Sequence, residues 1–340
     1  MSGLHLATVR RLVGLVPMGL VLVGMVGCAT SDPQNIFSPA SELASQIGDL
    51  FSFIIWVAIA VFVIVEAVLV FAIVRYRARP GDGRPPQVHG NTRLEIAWTI
   101  IPAVILAVIA VPTISTIFRT YSSAPAGALQ VKVIGHQWWW EAQYPDEKVI
   151  TANEIHVPVG RPVNFQLNSG DVIHSFWVPR LAGKRDVVPG RTNQLWFTPS
   201  QVGTYEGQCA EFCGAQHANM RFRVIVDPVD TYQAWVQGQL APPVQPAAGS
   251  LAAQGLGIYR GAACVGCHTI QGVSEGKVGP NLTHLASRTM IGAGTLDNTP
   301  ENLRGWVKNP SEVKPGVLMP ANLIPDQNLD AVVAYLQSLK

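Results

Sequence analysis

Two short stretches carry most of the chemistry available to this chain. The first runs Cys209-Ala210-Glu211-Phe212-Cys213-Gly214-Ala215-Gln216-His217-Ala218-Asn219-Met220 and gathers two thiols, an imidazole and a thioether. Thiolate and imidazole ligands suit copper, zinc or iron–sulfur chemistry, and a weakly bound Met points to copper. Mononuclear blue-copper sites take one Cys, two His and an axial Met. A second Cys in the same loop can bridge two metal ions. Cys-x3-Cys with two His is also a legal zinc set, but zinc has no use for Met220. The second stretch is Cys264-Val265-Gly266-Cys267-His268, the attachment pattern of a c-type haem. Its thiols form thioethers to the haem vinyl groups, and His268 ligates the iron. A redox dithiol is the competing reading, and the adjacent His268 disfavours it.

Each stretch needs a further ligand from elsewhere. For the copper loop, His136, His156 and His174 all lie upstream, and spacing does not choose among them. For the haem iron, His and Met are the usual sixth ligands, and a Met/His pair raises the potential. Met290, Met319 and His284 follow the attachment motif. Met319 sits in Pro315-Gly316-Val317-Leu318-Met319-Pro320, a segment stiff enough to hold a side chain over a flat cofactor. It is the preferred ligand, and Met290 reads as core.

These sites must be held outside a membrane. The chain has 340 residues and five cysteines, and its length allows about two domains. Only 14% of residues are charged, below the roughly 25% of soluble domains. A net charge of +2 without a dense Lys/Arg stripe excludes a nucleic-acid partner. Leu50 to Val74 and Ile96 to Phe118 are apolar runs long enough to span a bilayer. Pro102 and Pro112 are tolerable inside such a helix and predict a kink. Glu66 interrupts the first run, where a bare charge is expensive, so it faces a protein partner or snorkels. The loop over residues 75–95 carries Arg75, Arg77, Arg79, Arg84 and Arg93 against Asp82 and Glu95. Short Arg-rich loops stay cytoplasmic, which puts everything after Phe118 outside. Residues 1–27 agree: Arg10 and Arg11 precede an apolar core, Leu12 to Val26, as in a secretory signal. Cys28, the unpaired thiol, then becomes the lipidated first residue of an exported segment over 28–49. Met25-Val26-Gly27-Cys28 resembles a bacterial lipobox, with Met25 where Leu is usual.

The exported part divides in two. Over residues 125–237, Val163, Phe165 and Leu167 alternate with polar residues, and Leu195 to Phe197 and Phe222 to Val226 read as further strands. Pro158 to Gly160 and Val188 to Gly190 mark turns. Short strands in this number predict a Greek-key sandwich or barrel, with the metal loop between its last two strands. Residues 238–250 are Pro-rich and uncharged, a semi-rigid linker. Residues 251–340 end in an apolar helical face, Leu329, Val332, Val333, Leu336 and Leu339.

The loop Cys209-x-Glu211-x-Cys213-x3-His217-x2-Met220 resembles the binuclear copper (CuA) motif of cytochrome c oxidase subunit II. Gly135 to Trp140, Val172 to Phe176 and Glu95 to Thr99 resemble the same family in the same order. The C-terminal domain, with Gly279-Pro280-Asn281-Leu282, is similar to class I cytochromes c. The resemblance implies a two-helix hairpin, a cupredoxin-like β domain and a fused all-α cytochrome c. It implies that Cys209 and Cys213 bridge two coppers, with His174 and His217 as terminal ligands and Met220 and the Glu211 carbonyl as weak ones. It further implies a Glu211 side chain sharing magnesium or manganese with subunit I, Trp138 as the surface point where electrons arrive, and Glu95 at the mouth of a proton path. The implied function is electron input to a proton-pumping terminal oxidase in a bacterial inner membrane. Its partners are subunits I and III and a cytochrome c or bc-complex donor. A copper-containing nitric oxide reductase subunit is the alternative; copper delivery or storage is a third reading, which the haem disfavours. Glu141, Asp146, Glu147 and Glu154 read as a solvated acidic face.

Overall fold

The computed structural model describes residues 32–340 apart from 82, 85, 86 and 88; the signal segment and Cys28 lie outside the described residues. Helix α1 spans Glu42–Arg75, 34 residues, and α2 spans Thr92–Thr120. Each begins earlier than its apolar run. Ser41 caps α1 by accepting from the Ala44 amide, and Asn91 caps α2 by accepting from Arg93 and Leu94. At 1.5 Å per residue α1 is about 50 Å long, more than the ~30 Å of a bilayer core. Its surplus at the N-terminal end packs on the next domain: Ala44 is buried, the Ala40 amide bonds Arg180 O, and Ser41 bonds Leu181 O. Most of the other large apolar side chains of both helices are exposed, with Leu50, Ile54, Val57, Ile105 and Ile109 half-buried, and the exposed ones are the surface a bilayer covers. α2 runs through Pro102 and Pro112 without a break, and Glu95 lies in its first turn, where the helix dipole favours an acid. Glu66 is exposed on α1.

The second unit is a sandwich of two five-stranded sheets. One contains β1 (Leu129–His136), β2 (Trp139–Tyr144), β3 (Val149–Ala152), β5 (Val163–Ser169) and β8 (Asn193–Phe197). The other contains β4 (Glu154–Pro158), β6 (His174–Trp177), β7 (Arg185–Val187), β9 (Gly203–Cys209) and β10 (Arg221–Asp227). Two pairings are parallel, β1 with β5 and β4 with β10, so the chain crosses between sheets instead of meandering. The β1 burial pattern alternates strictly, as a strand with one core face requires. Val163, Phe165 and Leu167 share that core with Phe176, Phe197 and Phe222.

Helix α3 (Val229–Leu240) follows β10 and occupies the start of the Pro-rich stretch. The third unit is a separate core. It contains α4 (Leu251–Gly261), α5 (Pro300–Lys308), α6 (Pro310–Val313) and α7 (Leu329–Leu336). Leu329, Val332, Val333, Leu336 and Leu339 are all buried there. α4 crosses α7 so closely that a Cβ on Gly255 would sit 1.8 Å from the Ala331 carbonyl oxygen. Only glycine permits that crossing.

Candidate metal and haem centres

Cys209 ends β9 and Met220 immediately precedes β10. The Cys209 amide bonds the Met220 carbonyl, closing the loop at its base. β6 pairs with β9 so that Phe176 faces Cys209, which brings His174 to the loop. Its Nδ1 is 4.0 Å from Cys209 Sγ, and the two sulfurs are 3.8 Å apart. His217 Nδ1 and Met220 Sδ each lie 3.7 Å from Cys213 Sγ, and Glu211 O lies 3.2 Å from Cys209 Sγ. All six donors named from the sequence converge. His174, Cys209 and Cys213 are buried, with donor atoms within 4.8 Å of one another.

The other upstream imidazoles are used elsewhere. His136 stacks on Trp139 at 4.4 Å, and His156 pairs with Asp227 at 2.7 Å while stacking on Trp235. His174 is seated from behind. Its Nε2 lies 2.8 Å from Asp171 Oδ1, and Trp140 meets its ring edge-on. A Cβ on Gly135 would stand 2.8 Å from its Cδ2. The outer carboxylate fixes which ring nitrogen is free to bind metal. The Cys209 thiol is held down to about 3 by its hydrogen bond with Cys213, with burial opposing and His174 assisting. Cys213 is pushed up by the same bond. His174 is raised overall: burial, its largest influence, lowers it, while the bonds to Cys209 and Asp171 outweigh that. A tetrahedral zinc ion needs four of these donors. A fully buried thioether and a carbonyl aimed at two adjoining sulfurs fit copper better.

The second site is an apolar pocket lined by Cys264, Cys267, His268, Met290 and Met319. His268 Nδ1 lies 2.8 Å from the Pro280 carbonyl, leaving Nε2 for a metal. A Cβ on Gly279 would sit 2.5 Å from the His268 ring. Burial pushes His268 below its ordinary value. Arg288 lines the same pocket, buried, with its Nε lacking a partner among the described residues. Burial lowers it to about 10, so it stays a cation suited to the carboxylate edge of a haem. The pocket fits that cofactor. Met290, expected in the core, is half-buried on the pocket wall beside Met319. His284 is buried outside the lining, both ring nitrogens without partners among the described residues.

The pocket is not confined to the third unit. Gln137, Trp138, Trp139 and Asn153 of the sandwich complete its wall. Trp138, expected at the surface, is only 7% exposed, packed into the sandwich core and on the wall of the haem pocket. Its Nε1–H donates to the Cys213 carbonyl at 3.0 Å, and Gln137 Nε2 donates to the same oxygen at 2.8 Å. One indole therefore touches both sites. Trp138 and Trp140 are buried and Trp139 less so, as alternation predicts, although Trp138 lies in the turn before β2. Glu211 and Phe212 are exposed at the loop tip, Phe212 at 76%. Glu154 departs from the expected solvated face. It is 3% exposed and accepts from the Thr289 and Met290 amides of the third unit. Glu154 does not announce this burial locally, since Thr289 and Met290 arrive from far along the chain.

Residues 29–116 match the family described as cytochrome c oxidase subunit II, transmembrane domain. Residues 148–229 match its periplasmic domain, and 252–340 match cytochrome c. A cytochrome c oxidase subunit 2 of Alkalihalophilus pseudofirmus is 39% identical over 95% of this chain and 96% of its own length. The chain belongs to the cytochrome c oxidase subunit II family. The Bacillus subtilis subunit 2 is 31% identical over 95% of this chain and 96% of its own. The crystallised periplasmic domain of subunit II (CoxB) from Bradyrhizobium japonicum is 33% identical, covering 35% of this chain and 97% of that one, with a TM-score of 0.34. A membrane-anchored subunit II with a cytochrome c domain at its C-terminal end accounts for all three units.

Proposed function

We propose that this chain is the electron-accepting subunit of a terminal cytochrome c oxidase in a bacterial inner membrane. It takes electrons at a covalent haem c, passes them to a two-copper centre, and delivers them to subunit I, where oxygen is reduced and protons are pumped. The observation that carries the reading is Trp138, which lines the haem pocket and bonds the copper loop at Cys213. When bound, haem and copper supply one-electron carriers.

The residues divide the work. Cys264 and Cys267 would hold a haem covalently, and His268 and Met319 would hold its iron. Cys209 and Cys213 would be the thiolates shared by the coppers, His174 and His217 would be the imidazole ligands, and Met220 and the Glu211 carbonyl would be the weak ones. Because Trp138 is covered, a cytochrome c or bc-complex donor meets the haem domain instead of the copper domain. The exposed Glu211 and Phe212 face subunit I, where Glu211 helps bind magnesium or manganese. Glu95, opening α2 after the Arg-rich loop, lies on the cytoplasmic side where proton uptake into subunit I begins. Subunit III completes the assembly, and Cys28 carries a lipid anchor. The isolated complex should consume oxygen with reduced cytochrome c as donor. Turnover of nitric oxide without oxygen consumption would transfer the chain to the reductase alternative.

A further inference from the structure

Lys314 is 1% exposed, on the segment that leads to Met319. Its Nζ donates to three backbone carbonyls: Asn219 at 2.8 Å, Gly292 at 3.0 Å and Trp138 at 3.1 Å. An ammonium has three N–H donors, and all three are used. No carboxylate takes part. Burial lowers its pKa to about 8, with the Cys213 sulfur opposing, so it remains largely charged at neutral pH. A cation this deep is expensive unless its donors are fully satisfied, and the three carbonyls are equally costly to leave unpaired.

The placement of those carbonyls carries the inference. Asn219 directly precedes Met220 of the copper loop, and Trp138 holds the Cys213 carbonyl through its indole. Gly292 belongs to the haem domain, beside the pocket-lining Met290 and Ile291. Lys314 itself lines the pocket with Met319. Docking of the two domains does not depend on it alone. Glu154 binds the Thr289 and Met290 amides, the Arg221 amide bonds Ala293 O, and Gln216 bonds Pro315 O. We infer that Lys314 is a positioning residue that locks the haem pocket and the copper loop into one electron-transfer geometry, making the haem domain a fixed donor instead of a tethered one. This rests on the electron relay proposed above. The step it serves moves one electron from haem to copper, with no proton transferred and no bond made or broken.

The test uses the intact oxidase complex with the haem reduced by one electron. In the wild type, haem-to-copper transfer should be independent of solvent viscosity, because no domain motion precedes it. Lys314→Met, close in shape but without charge or donors, should slow transfer at least about tenfold, since small misplacements of reacting groups are costly. The slowed rate should depend on viscosity, and amide exchange over residues 310–320 should accelerate. Both optical spectra should stay in place, because every ligand of both centres is kept. Lys314→Arg, which keeps charge and donors, should recover part of the rate. A loaded Lys314→Met complex that transfers at the wild-type rate overturns the inference. So does a viscosity-dependent wild type, which decides the matter even where the variant fails to assemble. No haem-to-copper transfer in the wild type would instead remove the relay reading itself.

Discussion

Cys209→Ser is expected to convert the two-copper centre into a single-copper one and to cut electron delivery to oxygen on the order of a hundredfold or more. Outer-shell partners of a metal already cost 10–100-fold when removed, and a bridging ligand costs more. Cys209 sits between His174 on one side and Cys213 on the other. The bond between the two thiols holds Cys209 low and pushes Cys213 up, so the pair readily supplies a thiolate. A serine hydroxyl does not ionise so readily and cannot bridge two soft ions. What remains is His174, Cys213, His217 and Met220, the one-Cys, two-His, one-Met set of a blue-copper centre. Electron paramagnetic resonance should show hyperfine splitting from two coppers in the wild type and from one in the variant. An unchanged two-copper pattern would refute the bridging role.

Met319→Ala is expected to remove the sixth iron ligand and lower the haem potential by about 100 mV or more, because axial ligation sets haem potentials over a wide range. Met319 lines the haem pocket and is not one of the copper-loop donors, so the copper spectrum should not move. An unaltered haem spectrum would pass the role to Met290, which shares the pocket wall. His284 is the weaker substitute, since it lies outside the lining.

Both sites were legible because their donors are clustered in sequence. Cys209 to Met220 is one loop, and Cys264 to His268 is one turn, so spacing alone displays the chemistry. His174 was a different case. Among three upstream imidazoles, the choice rests on β6 pairing with β9, a contact between strands far apart in the chain. The apolar runs of α1 and α2 were plain from composition, while their extra N-terminal turns were set by Ser41 and Asn91 caps and by packing on the sandwich. The burial of Glu154 and Lys314 was not legible. Each looks like a surface residue until the haem domain is laid against the sandwich, and no local pattern encodes that docking.

On the proposed relay, electrons reach the copper pair through the haem of the same chain. Injecting one electron per intact complex from the natural donor and following both centres in time tests it directly. The haem should be reduced first and should then reoxidise as copper is reduced, at a rate unchanged by dilution. Copper reduced ahead of the haem, or a second phase that slows on dilution, would contradict it.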